Sequence, residues 1–87
     1  MSFYVYILQS KRDKKFYTGC TNNLRKRFNQ HQSGKVTSTK DRLPMELIYY
    51  EMCGNQEDAY TREKYLKTGR GKRYIKNRLK RFLSLTG

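Results

Sequence analysis

Two short runs rich in aromatic and β-branched residues, Phe3 to Gln9 and Lys15 to Cys20, stand on either side of the polar stretch Ser10-Lys11-Arg12-Asp13-Lys14. Such runs, joined by a few polar residues, form a β-hairpin. A lone two-stranded hairpin is marginal in water, so the rest of the chain has to supply a further strand or a packed helix. It supplies both. Thr21 or Asn22 can cap a helix that runs to about Ser33 and stops at Gly34. A loop through Pro44 leads to a third strand, Glu46 to Cys53. Asn55 with Asp58 three residues on resembles a capping box, and the helix it opens is closed by Gly69. A last helix begins near Lys72 or Arg73, with Ile75, Leu79 and Phe82 on one side and Arg73, Lys76, Lys80 and Arg81 on the other. The order β-β-α-β-α-α predicts an α+β fold, a three-stranded sheet flanked by helices in an α/β sandwich.

A length of 87 residues fits a single domain over 1–87, so any site has to be built on the core elements themselves. Lysine and arginine outnumber aspartate and glutamate 20 to 7, and the net charge of +13 works against compaction. A polyanion would relieve it. Nucleic acid suits many dispersed cations best, because each neutralised phosphate releases condensed counterions. An anionic membrane is the rival, but the chain has no long apolar run, signal-peptide core or lipidation motif. The expectation is a cytoplasmic protein with no membrane partner and no obligate protein partner. Cys20 and Cys53 lie far apart without a CxxC spacing, which points to reduced thiols rather than a disulfide framework or a zinc site. Eight tyrosines and four phenylalanines can be core, or surfaces on which bases stack.

Polar residues that interrupt apolar faces carry most of the functional information. Leu24 and Phe28 mark the inward arc of the first helix, and His31 falls inside it with Arg27 on its edge. Glu63 lies between Ala59 and Leu66 on the inward face of the second helix, where a carboxylate is costly without a partner. A hairpin turn centred between Lys11 and Arg12 sets Tyr6 opposite Tyr17 and Tyr4 opposite Gly19, with both Tyr6 and Tyr17 on one face. Gly19 would leave a gap where backbone could approach a phosphate. Each residue also has a plainer reading. A strand tyrosine ordinarily packs, a helix histidine or glutamate ordinarily bridges at the surface, and Arg27 could pair with Glu63 across two helices.

Taken together and in order, Tyr4-Val5-Tyr6, Tyr17-Thr18-Gly19, Leu24-Arg25-Lys26-Arg27-Phe28 with His31, and Asp58 to Glu63 resemble the GIY-YIG nuclease family, and within it the small stand-alone bacterial branch. The resemblance implies that Tyr6 and Tyr17 are the two active-site tyrosines, Arg27 the catalytic arginine, His31 an accessory site residue and Glu63 the ligand of one Mg²⁺ or Mn²⁺. Tyr4 stands where the family name has its first glycine. Asn77 is the only late candidate for an asparagine that many members carry, and it falls on the basic side of the last helix. The implied activity is divalent-metal-dependent endonucleolytic hydrolysis of nucleic acid, DNA in the first instance. Gly19, Lys76, Lys80 and Arg81 would contact the nucleic acid.

Such hydrolysis needs an in-line water, relief of its proton and neutralisation of charge on the phosphate. A single carboxylate at Glu63 favours one hard cation completed by waters and phosphate oxygens. Arg27 offers a planar fork to non-bridging oxygens, and either tyrosine can act on the water where neighbouring cations lower its pKa. The alternative is a non-catalytic basic module that binds DNA, RNA or the ribosome. It accounts for the charge and the tyrosines, but it has no use for an inward carboxylate.

Overall fold

The computed structural model describes residues 1–86 of the chain. Its elements are β1 (Phe3–Ser10), β2 (Phe16–Thr21), α1 (Leu24–Gln32), a 3₁₀ turn (Lys40–Arg42), β3 (Met45–Cys53), α2 (Gln56–Leu66), α3 (Gly69–Arg78) and α4 (Lys80–Thr86). The three strands form one antiparallel sheet in the order β2-β1-β3, with the hairpin strand β1 in the centre. The α+β class and the helix-flanked sheet are as expected.

The hairpin loop sets the register. The Ser10 hydroxyl accepts hydrogen bonds from the backbone N–H groups of Arg12 and Asp13, and Asp13 Oδ1 accepts from Lys15 N–H at 2.9 Å. Lys14 takes the left-handed conformation, φ 64°, to close the loop. The midpoint therefore falls between Arg12 and Asp13, one residue later than expected. Tyr6 pairs with Gly19, Leu8 with Tyr17 and Tyr4 with Thr21. A shift of two in the pairing preserves the side-chain alternation, so Tyr6 and Tyr17 still share a face.

Asn23, rather than Thr21 or Asn22, caps α1 by accepting from Lys26 N–H, while Gly34 at φ 77° ends the turn after it. Asn55 caps α2 by accepting from Glu57 and Asp58 N–H, and those two carboxylates lie at the positive end of the helix dipole. The third helix differs from expectation. The Thr68 hydroxyl accepts from Gly71 N–H, so the helix starts at Gly69, which opens α3 instead of closing α2. The corner is tight: a Cβ on Gly71 would lie 2.5 Å from Leu66 Cα. Leu79 leaves helical geometry at φ −107° and packs against the core, which separates α4 from α3.

Spacing left open which face of the sheet the helices cover, and the answer is both. Val5 and Ile7 pack with Ala59 and Leu66 of α2 and Ile75 of α3, while Tyr6, Leu8 and Met45 pack with Leu24 and Phe28 of α1. Each fully buried aliphatic side chain here contributes about 1.5–3 kcal/mol. In β3 one extra residue, Ile48, bulges between the pairs Ile7–Tyr49 and Leu8–Leu47. The bulge keeps Leu47 and Tyr50 on the α1 side while Ile48 and Tyr49 serve the other core. Arg62 ties α2 to β3 through two close contacts with Glu51 at 2.8 and 2.9 Å, and its guanidinium lies 4.9 Å from the Tyr74 ring centroid. Among the described residues no helix is long and apolar enough to cross a membrane.

Candidate active site

Tyr6 on the central strand and Tyr17 on the outer strand have ring centroids 6.3 Å apart, and His31 from α1 stands edge-on to both at 5.8 and 4.9 Å. Helical spacing from Leu24 and Phe28 aims His31 at the sheet, where it is fully buried. Its Nε2 lies 3.0 Å from the Tyr6 hydroxyl and its Nδ1 lies 2.8 Å from Thr39 Oγ1. Burial, with the nearby Arg27 charge, pushes the His31 pKa down to about 4. A neutral imidazole has one donor and one acceptor nitrogen. The network then runs in one direction: Tyr6 O–H donates to Nε2, Nδ1–H donates to Thr39, and the Thr39 hydroxyl points at the Val36 carbonyl oxygen 3.5 Å away.

Arg27 leans over this pair from the edge of α1. Its guanidinium donates a hydrogen bond to Gln30 Oε1 at 3.1 Å, and a looser contact with the Tyr6 hydroxyl, then attraction to both tyrosines, holds its pKa above the usual value. Tyr6 is sealed from solvent, at 1 % exposed. Burial pushes its phenol up to about 12, with Arg27 opposing and Tyr17 and Glu63 adding to the rise. At neutral pH Tyr6 therefore keeps its proton. Arg27, Lys26, Asn23 and Cys20 help line an open concavity of about 340 Å³ at the end of the outer strand.

Glu63 comes from the opposite side of the sheet. It sits between buried Ala59 and Leu66 as its spacing implied, and its carboxylate accepts an ion pair from Lys67 Nζ at 3.0 Å. The alternative pairing with Arg27 is not made. Burial is the main cause of the raised pKa of Cys20 and of Tyr6, and the Glu63 charge adds to both, as the least of the causes at Tyr6. No hydrogen bond among the described residues joins Glu63 to a tyrosine. Nor do those residues gather three or more His, Cys, Asp or Glu side chains in an arrangement able to hold a metal ion.

Gly19 requires correction. The space expected for a phosphate is filled by the Tyr6 ring: a Cβ there would overlap the Tyr6 hydroxyl and lie 2.5 Å from Cζ. The shifted register explains this, because Gly19 and not Tyr17 stands opposite Tyr6. Lys76 and Lys80 line a groove of about 700 Å³ with Lys14, Lys15 and Lys72, whereas Arg81, expected beside them, does not line it, although it shares α4 with Lys80. Asn77 is exposed on α3, and its side chain makes no hydrogen bond among the described residues. Thr39 carried no sequence signal, since Lys35 to Lys40 reads as an ordinary polar loop. Lys67 did carry one, four residues after Glu63 on the same helix.

The GIY-YIG catalytic domain model matches residues 2–81. A UPF0213 protein of Clostridium perfringens is 46% identical over 65 residues, covering 74% of this chain and 69% of its own. A UPF0213 protein of Pediococcus acidilactici is 41% identical over 81 residues, covering 86% and 82%. The solution NMR structure of a UPF0213 protein from Bacillus halodurans superposes with a TM-score of 0.55 at 33% identity, over 86% of this chain and 82% of that one. The match spans both strands of the hairpin, α1 and α2, the elements that carry the tyrosines, Arg27 and Glu63. The chain therefore belongs to the GIY-YIG family, a nuclease-type catalytic domain, beside the small UPF0213 proteins.

Proposed function

We propose that the chain is a divalent-metal-dependent endonuclease that hydrolyses phosphodiester bonds in nucleic acid, DNA in the first instance. One observation carries the reading: Tyr6 and Tyr17 share a sheet face with ring centroids 6.3 Å apart, the buried His31 stands edge-on to both, and Arg27 reaches toward the same pair.

Arg27 is placed to hold the non-bridging oxygens of the scissile phosphate, where a fixed fork outperforms a flexible lysine. Tyr6 stays protonated and donates to His31, so the two position the site; His31, without solvent access, does not itself exchange protons with water. That leaves Tyr17, only half-buried and on the outer strand, as the hydroxyl that meets the attacking water. The metal requirement fits Glu63. Its side chain is one-fifth exposed, and the side chain of its partner Lys67 is more than half exposed and free to swing away. Hard cations accept one protein carboxylate and complete their shell with waters and phosphate oxygens. A bound Mg²⁺ or Mn²⁺ would supply neutralisation of charge on the phosphate and a more acidic water.

The test is Glu63→Gln, assayed with Mg²⁺ or Mn²⁺ on single-stranded, duplex and branched DNA. Cleavage should disappear while the fold and most of the affinity remain, because the amide keeps the shape without the charge. Undiminished cleavage by the variant, or none by the unaltered protein with either metal, would leave the non-catalytic binding module as the account.

A further inference from the structure

On the α1 side of the sheet, α1 covers only the end that carries Tyr6, Leu8 and Met45. The other end is left open. There Tyr4 and Tyr50 stand in a T-shaped pair, ring centroids 6.0 Å apart, and Tyr50 is 54% exposed. They form one wall of a concavity of about 520 Å³, with Leu24 and Phe28 as its apolar floor and Asn22 and Arg25 at its rim. The bulge at Ile48 creates this wall, since without the extra residue Tyr50 would turn to the opposite face.

The polar groups around this hollow are unspent. Among the described residues the Tyr4 and Tyr50 hydroxyls, the Asn22 side-chain amide and the Arg25 guanidinium make no hydrogen bond or ion pair. Two aromatic faces, an apolar floor, an amide and a cation together match a flat ring with a polar edge and a nearby negative charge. An unpaired nucleobase with its phosphate has all three properties. Tyr4 lies two residues from Tyr6 on the same strand face, on the order of 7 Å away, so the hollow adjoins the site already described.

We propose that the Tyr4–Tyr50 hollow binds one unpaired nucleobase of the substrate strand, beside the phosphate to be cleaved, which makes single-stranded or locally unpaired nucleic acid the preferred substrate. This rests on the reading that the chain binds nucleic acid. Stacking on Tyr50 supplies affinity with little base preference, and Arg25 anchors the adjoining phosphate.

The experiment measures metal-free binding of a short labelled single-stranded oligonucleotide, and of the same strand with one abasic position moved along it. Proteins compared are the unaltered chain, Tyr50→Ala and Tyr50→Phe. Removing the base at one position should cost the unaltered protein about 5- to 150-fold in affinity, the value of one stacked base. Tyr50→Ala should lose the same factor on the intact strand and nothing further on the abasic one, since both changes remove one contact. Tyr50→Phe should bind almost as the unaltered chain does, and the salt slope should stay constant because no charge is lost. Steep, salt-dependent binding that is indifferent to Tyr50→Ala would overturn the base site and leave the nucleic-acid reading standing. Failure of the unaltered protein to bind any strand or duplex at low salt would overturn both.

Discussion

Lowering the pH from 7 to 5 should destabilise this protein through a single side chain. His31 is its only histidine, is fully buried, and has its folded pKa pushed down to about 4 by burial first and the Arg27 charge second. In the unfolded chain the same group titrates near 6.5. Between those values the unfolded state binds a proton that the native state refuses, so stability falls as the pH falls. The full effect approaches about 3.4 kcal/mol below pH 4, from 2.5 pKa units at about 1.36 kcal/mol each. At pH 5 the loss is about 2.0 kcal/mol and at pH 7 about 0.2, a difference of about 1.8. For a domain of this size that lowers the melting temperature by roughly 7–15 °C. The window is clean. Asp13 and Glu51, the two carboxylates held below their usual range, lose their stabilising contribution only below it. Thermal melts at half-unit steps, with His31→Gln as the non-titrating control, give the result directly. A melting temperature equal at pH 7 and pH 5, or a decline of the same size in His31→Gln, would refute the sealed, neutral Tyr6–His31–Thr39 chain.

Gly19→Ala should cost about 1–3 kcal/mol, since its methyl group would overlap a Tyr6 ring with no room to move; urea unfolding within 0.3 kcal/mol of the unaltered protein would show that the ring can yield. Glu51→Gln should destabilise by about 1.5–3 kcal/mol, because Arg62 and the Tyr49 hydroxyl both lose a charged acceptor at 2.8 Å; a change below 0.5 kcal/mol by the same measurement would argue against it. Replacing Lys72, Lys76 and Lys80 together by glutamine should flatten the slope of log affinity against log salt by about 2–3 for duplex DNA, and an unchanged slope would remove that groove from the phosphate path. Asn55→Ala should cost about 0.5–2 kcal/mol by loss of the α2 cap, read as a melting-temperature shift at pH 7.

The periodic features of this protein could be read from the sequence alone. Alternation in Phe3 to Gln9, the 24/28/31 arc of α1 and the 59/63/66 face of α2 each follow from a fixed geometric repeat, which places Tyr6, His31 and Glu63 without reference to the rest of the chain. Parity also survived an error of register, because a slip of two residues leaves every side chain on its own face. What depended on a count rather than a period did not survive. The Ser10 and Asp13 hydrogen bonds decide where the hairpin turns, and so make Gly19 the seat of the Tyr6 ring. Thr68 and the close approach at Gly71 decide where α3 begins, and Leu79 decides where it breaks, which puts Lys80 and Arg81 on α4 apart from Lys76 on α3. Thr39 reaches His31 from eight positions further along the chain, and the bulge at Ile48 opens the Tyr4–Tyr50 hollow. The hairpin and cap bonds are local, but several nearby side chains could have made them and the hydrophobic period does not rank these; the Gly19 seat, the Thr39 bond and the bulge depend on packing between segments distant in the chain. Side-chain direction is a local property of the backbone, whereas the neighbour it meets is chosen by the whole fold.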